Sequence, residues 1–226
     1  MSLQKNSYWR KIFLLDTILK SIVLKNRIFF FKYFCDSIKF DDKSKILDIG
    51  TTPSTEDHEN LFIKLFPYKF NITCLSNIDC TPIKDKFKGL NFILGDGRAS
   101  NLEDNSFDII HSNAVIEHVG SYSEQKKFIK ECYRITKKDI FITTPYRFFP
   151  IEMHTKLPLI HFLPKKIFRK IISFFGDDFF SLEKNLNLLS VREIKCILKD
   201  LNISSYIIVK KKFFFFTSNI ILIIKK

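Results

Sequence analysis

A turn of two glycines around an acid, Gly95-Asp96-Gly97, can bring backbone against a ligand. Glycine tolerates left-handed φ and adds no side chain, while Asp96 supplies a carboxylate. After a polar loop comes Phe107 to Ser112, a β-branched run that reads as a buried strand. A helix signal follows at once, with Asn113 as its cap and Ala114, Val115, Ile116, Glu117 and His118 behind it. A second candidate turn, Gly50-Thr51-Thr52-Pro53-Ser54, follows Ile46-Leu47-Asp48-Ile49. With a single glycine it makes a poor phosphate cradle, and it lacks the glycine-spaced dinucleotide fingerprint. Turn, strand, polar strand end and helix describe the rim of a parallel sheet, where ligands of open α/β proteins bind.

The elements that must hold these residues can be read along the chain. From Lys11 to Phe34, Ile12, Leu15, Ile18, Leu19, Ile22 and Val23 recur at helical spacing, which predicts one or two amphipathic helices; packing against the sheet is the simplest reading, with capping of a substrate site or lying on a membrane surface as alternatives. Strands are predicted at Lys43 to Gly50, Phe70 to Ser76, Leu90 to Leu94, Phe107 to Ser112 and Lys138 to Thr144. Helices are predicted at Glu56 to Phe66, Ser123 to Thr136 and Ser190 to Leu201, the last with a Ser190/Glu193 capping box. Strands alternating with helices at short intervals argue for a doubly wound parallel sheet. Pro145 to Leu189 breaks the rhythm with four prolines, clustered aromatics and the basic piece Lys165 to Phe175; it is expected to lie at the ligand-binding rim as a lid or acceptor pocket. Ile203 to Lys211 and Ser218 to Lys225 are expected to pair as closing strands.

The chain has 226 residues, 46% of them hydrophobic, enough for one domain with a substantial core. The organisation expected is a helical cap over 1–42, a core over 43–145, an insertion over 146–189, and a last helix with closing strands over 190–226. The net charge of +13 favours an anionic partner, such as a membrane surface, an acidic acceptor or nucleic acid, and equally suits a solvated lysine-rich surface. Cys35, Cys74, Cys80, Cys132 and Cys196 form no CxxC pair, and the histidines show no HxH or HExxH spacing, so a reduced, metal-free, cytoplasmic chain is expected. Neither a signal peptide nor a membrane-spanning helix is visible.

These motifs resemble the class I S-adenosylmethionine-dependent methyltransferases of the small-molecule group. The resemblance covers roughly Lys43 to Thr144. It rests on Ile46-Leu47-Asp48-Ile49-Gly50, on Gly95-Asp96-Gly97, and on Ser106-Phe107-Asp108-Ile109-Ile110 running into Val115-Ile116-Glu117-His118-Val119. It implies a Rossmann-like, doubly wound, seven-stranded and mainly parallel sheet with a C-terminal antiparallel β-hairpin, and S-adenosylmethionine as cofactor. By position, Asp48 and the turn of Gly50 and Thr51 would approach the methionine part of that cofactor. Asp96 would accept from the adenine amino group, with Gly97 and Arg98 flanking the ring. Ser112 and Asn113 would line the route to the reactive methyl. The first turn departs from the family's several glycines. The second strand ends on Ser76 and Asn77, with Asp79 beyond, where the family carries an acid for the ribose hydroxyls.

Methyl transfer to oxygen or nitrogen that must lose a proton requires a general base. The candidates are His118, Glu152 and His154. Packing behind the site is the simpler reading of His118, and a plain surface loop stands beside acceptor contact for the other two. Lys165, Lys166, Arg169 and Lys170 could hold a phosphate or an anionic headgroup, or form one polar helix face. The activity expected is methylation of a small or lipid-linked acceptor, most simply O-methylation of a sugar or quinone-like ring. Alternatives are an RNA-associated methyltransferase or nucleic-acid-binding protein, and a catalytically degenerate fold that binds a partner.

Overall fold

The computed structural model describes residues 13–56, 59–84 and 86–226. One long helix, α1 (Phe13–Ser37), precedes the sheet, and the expected helix start at Lys11 and Ile12 lies outside the described residues. The strands β1 (Ile46–Ile49), β2 (Ile72–Ser76), β3 (Asn91–Leu94), β4 (Phe107–Asn113) and β5 (Thr136–Pro145) form the parallel part. They fall where the β-branched runs predict them. β6 (Tyr206–Phe213) and β7 (Phe216–Lys225) close the sheet as a hairpin, β7 pairing antiparallel to β5. The order is β3-β2-β1-β4-β5-β7-β6. Between the strands lie α2 (Leu61–Leu65), α3 (Thr81–Lys84), α4 (Tyr122–Ile135) and α7 (Val191–Asp200). The helix expected from Glu56 is shorter than its pattern: Asn60 takes a left-handed φ of 50° immediately before α2, and Asp57 and His58 lie outside the described residues.

Alternation along β1 divides its side chains between two cores. Leu47 and Ile49 face α4 and α7, against Phe128, Cys132, Ile194 and Ile197. Ile46 faces α1 and α2, against Phe34, Phe62 and Phe66. Phe34 is fully buried, and its ring meets those of Phe40, Phe62, Phe66 and Phe141. This aromatic cluster fixes α1 across the first face. On the second face the capping box starts α7 as predicted, Ser190 Oγ accepting from Glu193 N–H at 3.3 Å and Glu193 Oε2 accepting from Ser190 N–H at 2.8 Å.

The insertion is a compact unit whose two ends meet in a bridge between Tyr146 and Leu189. It contains α5 (Lys165–Phe174) and α6 (Asp178–Ser181), and it buries Leu157, Phe168, Ile172, Phe180, Leu186 and Leu188 on one another. Two of its four expected anion-binding cations are paired within the protein: Lys165 binds Glu193 of α7 at 2.6 Å, and Arg169 binds Glu183 at 2.9 Å.

Phe34→Ala removes the ring at the centre of the aromatic cluster, and the unfolding free energy in urea is expected to fall by about 3–5 kcal/mol. A loss below about 1 kcal/mol would mean that α1 is not part of the core.

Candidate active site

The carboxyl ends of β1 to β4 open on one edge of the sheet, and the chain reverses there in two ways. After β1, Gly50 adopts φ +97°, and its N–H donates to the Leu75 carbonyl at 2.8 Å. A Cβ at this position would lie 2.1 Å from Val115 Cγ2, so the turn admits no side chain. After β4, Ala114 takes φ +56° and only a single 3₁₀ turn, Ile116–His118, follows. The helix predicted from Asn113 is therefore not formed. Asn113 ends the strand instead, its side-chain carbonyl accepting from Thr143 Oγ1 at 2.5 Å.

Between these reversals lies a cleft of about 450 Å³. Ile49, Leu75 and Phe128 form its apolar part, and Ser76, Asn77, Asp96, Arg98 and His118 its polar part. Gly97 packs so closely that a Cβ would stand 2.9 Å from Ile49 and 3.1 Å from Phe128. Arg98 is pinned: its guanidinium holds both Asp96 oxygens, at 2.5 Å at the closest, and also reaches the Val119 carbonyl and Glu124. The hydrogen bond from Arg98 keeps Asp96 below the usual carboxylate range, so Asp96 stays ionised.

Of the residues expected to touch a cofactor, Gly50, Ser76, Asn77, Asp96, Gly97 and Arg98 line this cleft together. Five others lie elsewhere, Thr51 among them, buried and donating to Asp48. The alternation of β1 turns Asp48 to the α1 face, where it binds His111 Nδ1 at 2.6 Å and Thr51 Oγ1 at 3.0 Å. Ser112 is buried and donates to the Ile49 carbonyl at 3.2 Å. Asp79 caps its own turn, accepting from Thr81 N–H at 2.9 Å. Asn113 borders a second cavity of about 280 Å³ under α1, with Asn26, Phe149 and Asn219.

The three base candidates meet at the wall between cleft and cavity. His118 borders the cleft and His154 the cavity, with their Nε2 atoms 3.1 Å apart. Glu152 lies behind, 2.7 Å from His154 Nδ1, and accepts from the N–H groups of His154 and Thr155. Burial alone would raise its pKa, but the His154 ring and these N–H donors hold it down to about 2. Burial pushes His118 below the usual histidine range against the pull of Glu117, which favours the neutral ring.

Two groups here have no counterpart in the sequence reading. Asn26 donates to Asn219 Oδ1 at 2.9 Å, while its own Oδ1 is buried without a hydrogen-bond partner among the described residues. Glu117 is fully buried, and its Oε1 is likewise unmatched. The signal for Glu117 was its charge inside the apolar run Val115-Ile116-Glu117-His118-Val119. Asn26, on a helix far from the motifs, had none.

Residues 74–142 match the family model described as a methyltransferase domain. No curated protein matches the sequence at a significant level. Among solved structures, the chain is similar to a SAM-dependent methyltransferase from Aquifex aeolicus at 14% identity and TM-score 0.59, over 92% of this chain and 97% of that one. It is similar to a SAM-dependent methyltransferase from Thermotoga maritima, a possible histamine N-methyltransferase, at 13% identity and TM-score 0.57, over 98% and 100%. The phosphoethanolamine N-methyltransferase 2 of Haemonchus contortus, in complex with phosphomonomethylethanolamine and S-adenosylhomocysteine, aligns at 15% identity and TM-score 0.52 over 76% of this chain and 36% of that one. At such identities the likeness speaks for the fold.

Gly50→Ala forces a left-handed φ on alanine and drives a methyl into Val115. A stability loss of about 2–4 kcal/mol in chemical denaturation is expected. An unchanged midpoint would contradict the geometry of this turn.

Proposed function

We propose, from the match of residues 74–142 to a methyltransferase-domain model and a fold shared with S-adenosylmethionine-dependent methyltransferases, that this chain methylates a hydroxyl group of a small acceptor presented at a lipid surface. The observation that carries the reading is the His118–His154 contact of 3.1 Å, one ring on each side of the wall between cleft and cavity.

The cleft fits the cofactor by its donor set. Asp96, held ionised by Arg98, keeps acceptor capacity for an amino group. Asn77, exposed at the end of β2, offers an amide in the place of the missing acid, and Leu75 and Phe128 supply apolar surface for a ring. When bound, S-adenosylmethionine supplies a methyl group on a sulfonium, which carries its own leaving group. The protein then has to orient the acceptor, exclude water and take a proton.

The cavity under α1 suits a hydroxyl-bearing acceptor. Asn26 Oδ1, buried and unmatched, can accept from such a hydroxyl. His154 Nε2, with Glu152 orienting the ring from behind, is placed to take the proton. Presentation at a lipid surface is supported by the β6–β7 turn next to this cavity, whose β7 residues Ser218 and Asn219 line it. There Phe214 is 80% and Phe215 92% exposed, beside Lys210, Lys211 and Lys212.

Transfer of tritium from labelled S-adenosylmethionine to a panel of catechols, hydroquinones and methyl glycosides is the test. For whichever accepts, His154→Gln is expected to lower kcat/KM by roughly 10²–10⁴ while S-adenosylhomocysteine binding stays intact. Asn26→Leu is expected to act mainly on KM. Transfer undiminished in His154→Gln would remove the histidine wall from the mechanism. Separately, phosphatidylglycerol vesicles are expected to sediment the protein, and Phe214→Ser with Phe215→Ser to release it; failure of the wild-type protein to sediment would exclude the lipid surface.

A further inference from the structure

Glu117 stands on a single 3₁₀ turn and is fully buried. Its Oε2 accepts from Thr144 Oγ1 at 2.9 Å, but Oε1 has no hydrogen-bond partner among the described residues and lies 3.9 Å from His118 Nε2. A carboxylate taken out of water with an oxygen unmatched is costly, by several kcal/mol in general, and calls for a positive charge beside it.

The neighbouring rings point to what that charge is. His118 Nδ1 lies 2.7 Å from the Asn185 carbonyl, and His154 Nδ1 lies 2.7 Å from a Glu152 carboxylate oxygen. Carbonyls and carboxylates only accept, so each neutral ring carries its proton on Nδ1. The two Nε2 atoms, 3.1 Å apart, then turn lone pairs toward each other. Lone pairs at that distance repel unless a proton or a metal ion lies between them, and a lone proton there would leave Glu117 Oε1 unmatched, 3.9 Å from His118 Nε2. The donor atoms of Glu117, His118 and His154 all lie within 4.8 Å of one another.

We propose that Glu117 Oε1, His118 Nε2 and His154 Nε2 bind a divalent transition-metal ion. Two imidazoles and one carboxylate are the donors of catalytic zinc and related first-row ions, whereas magnesium and calcium prefer oxygen throughout. The two nitrogens already stand near the roughly 3.3 Å that separates ligands on a tetrahedral zinc, and the carboxylate has to close on them. Each ligand has the outer partner that metal-binding side chains need: Asn185 for His118, Glu152 for His154 and Thr144 for Glu117. The ion would sit at the wall between cleft and cavity, where an acceptor oxygen can take an open position. This consequence rests on the function proposed above: the bound hydroxyl becomes more acidic, its O–H bond breaks with the proton leaving to water, and the histidines serve as ligands instead of bases.

Calorimetric titration of chelator-stripped protein, under reducing conditions and without acceptor, tests the site using zinc, manganese and magnesium chlorides. The expected result is one equivalent of zinc or manganese, with magnesium at least about tenfold weaker. Glu117→Gln and His154→Ala are each expected to weaken the ion by at least about tenfold while S-adenosylhomocysteine still binds, which shows that the variants are folded. Should Glu117→Gln not fold, the more accessible His154→Ala decides. No binding of any ion would overturn the proposal. So would affinity unmoved by the substitutions, which would assign the ion elsewhere, for instance to the exposed Cys35 and Cys196. Methyl transfer that persists in chelator would remove the ion but leave the proposed function standing, with the histidines as bases.

Discussion

In a parallel sheet covered on both faces, polar side chains have no solvated face to occupy and must collect at the strand ends or pair inside. Here α1 and α2 cover one face and α4 and α7 the other, so the strands from β1 to β4 open at a single edge. The two chain reversals at that edge, at Gly50 and Ala114, then decide what the edge can hold. Val115 closes over the glycine, and the turn after it swings His118 to the cleft wall. The insertion after β5 meets the same wall from the other side through His154.

The polar groups fall into two kinds, separated by whether the fold satisfies them internally. Asp48 with His111, Glu152 with His154, and Arg98 with Asp96 are matched inside the protein and act as fixed parts. Among the described residues, Asn26 Oδ1, Glu117 Oε1 and His161 Nδ1 are buried and unmatched; the first borders the cavity and the second adjoins His118, while the third lies apart within the insertion. In a folded protein such groups are uncommon, and a ligand is the simplest way to complete them. Lack of a partner together with position beside the cleft and cavity marks Asn26 and Glu117, more than the matched acids, as the chemistry-bearing part of the site.

Most of the fold was legible because strand and helix periods in this chain are strong. Ile46 to Ile49, Phe107 to Ser112 and the Ser190/Glu193 capping box mark their elements from local residue types alone. The site was legible only where motif and backbone coincide, as at Gly50 and at Asp96 with Arg98. A side chain's facing depends on strand phase, which is why Asp48, a strand-end acid in the sequence, belongs to the α1 face. Asn113 reads as a helix cap, but the left-handed turn at Ala114 comes from packing around the sheet edge. Contacts between residues remote in sequence, such as His118 with His154 or Asn26 with Asn219, leave no local pattern.

The central claim is that the cleft bordered by Gly50, Asn77, Asp96 and Arg98 is the cofactor site. Calorimetric titration of the protein with S-adenosylhomocysteine tests it most directly, repeated on Asp96→Ala. The account predicts one equivalent bound in the micromolar range and an affinity at least about tenfold weaker in the variant, as expected for a lost hydrogen bond to a charged group. A folded wild-type protein that binds neither this compound nor S-adenosylmethionine would contradict the account and leave the fold as a partner-binding scaffold.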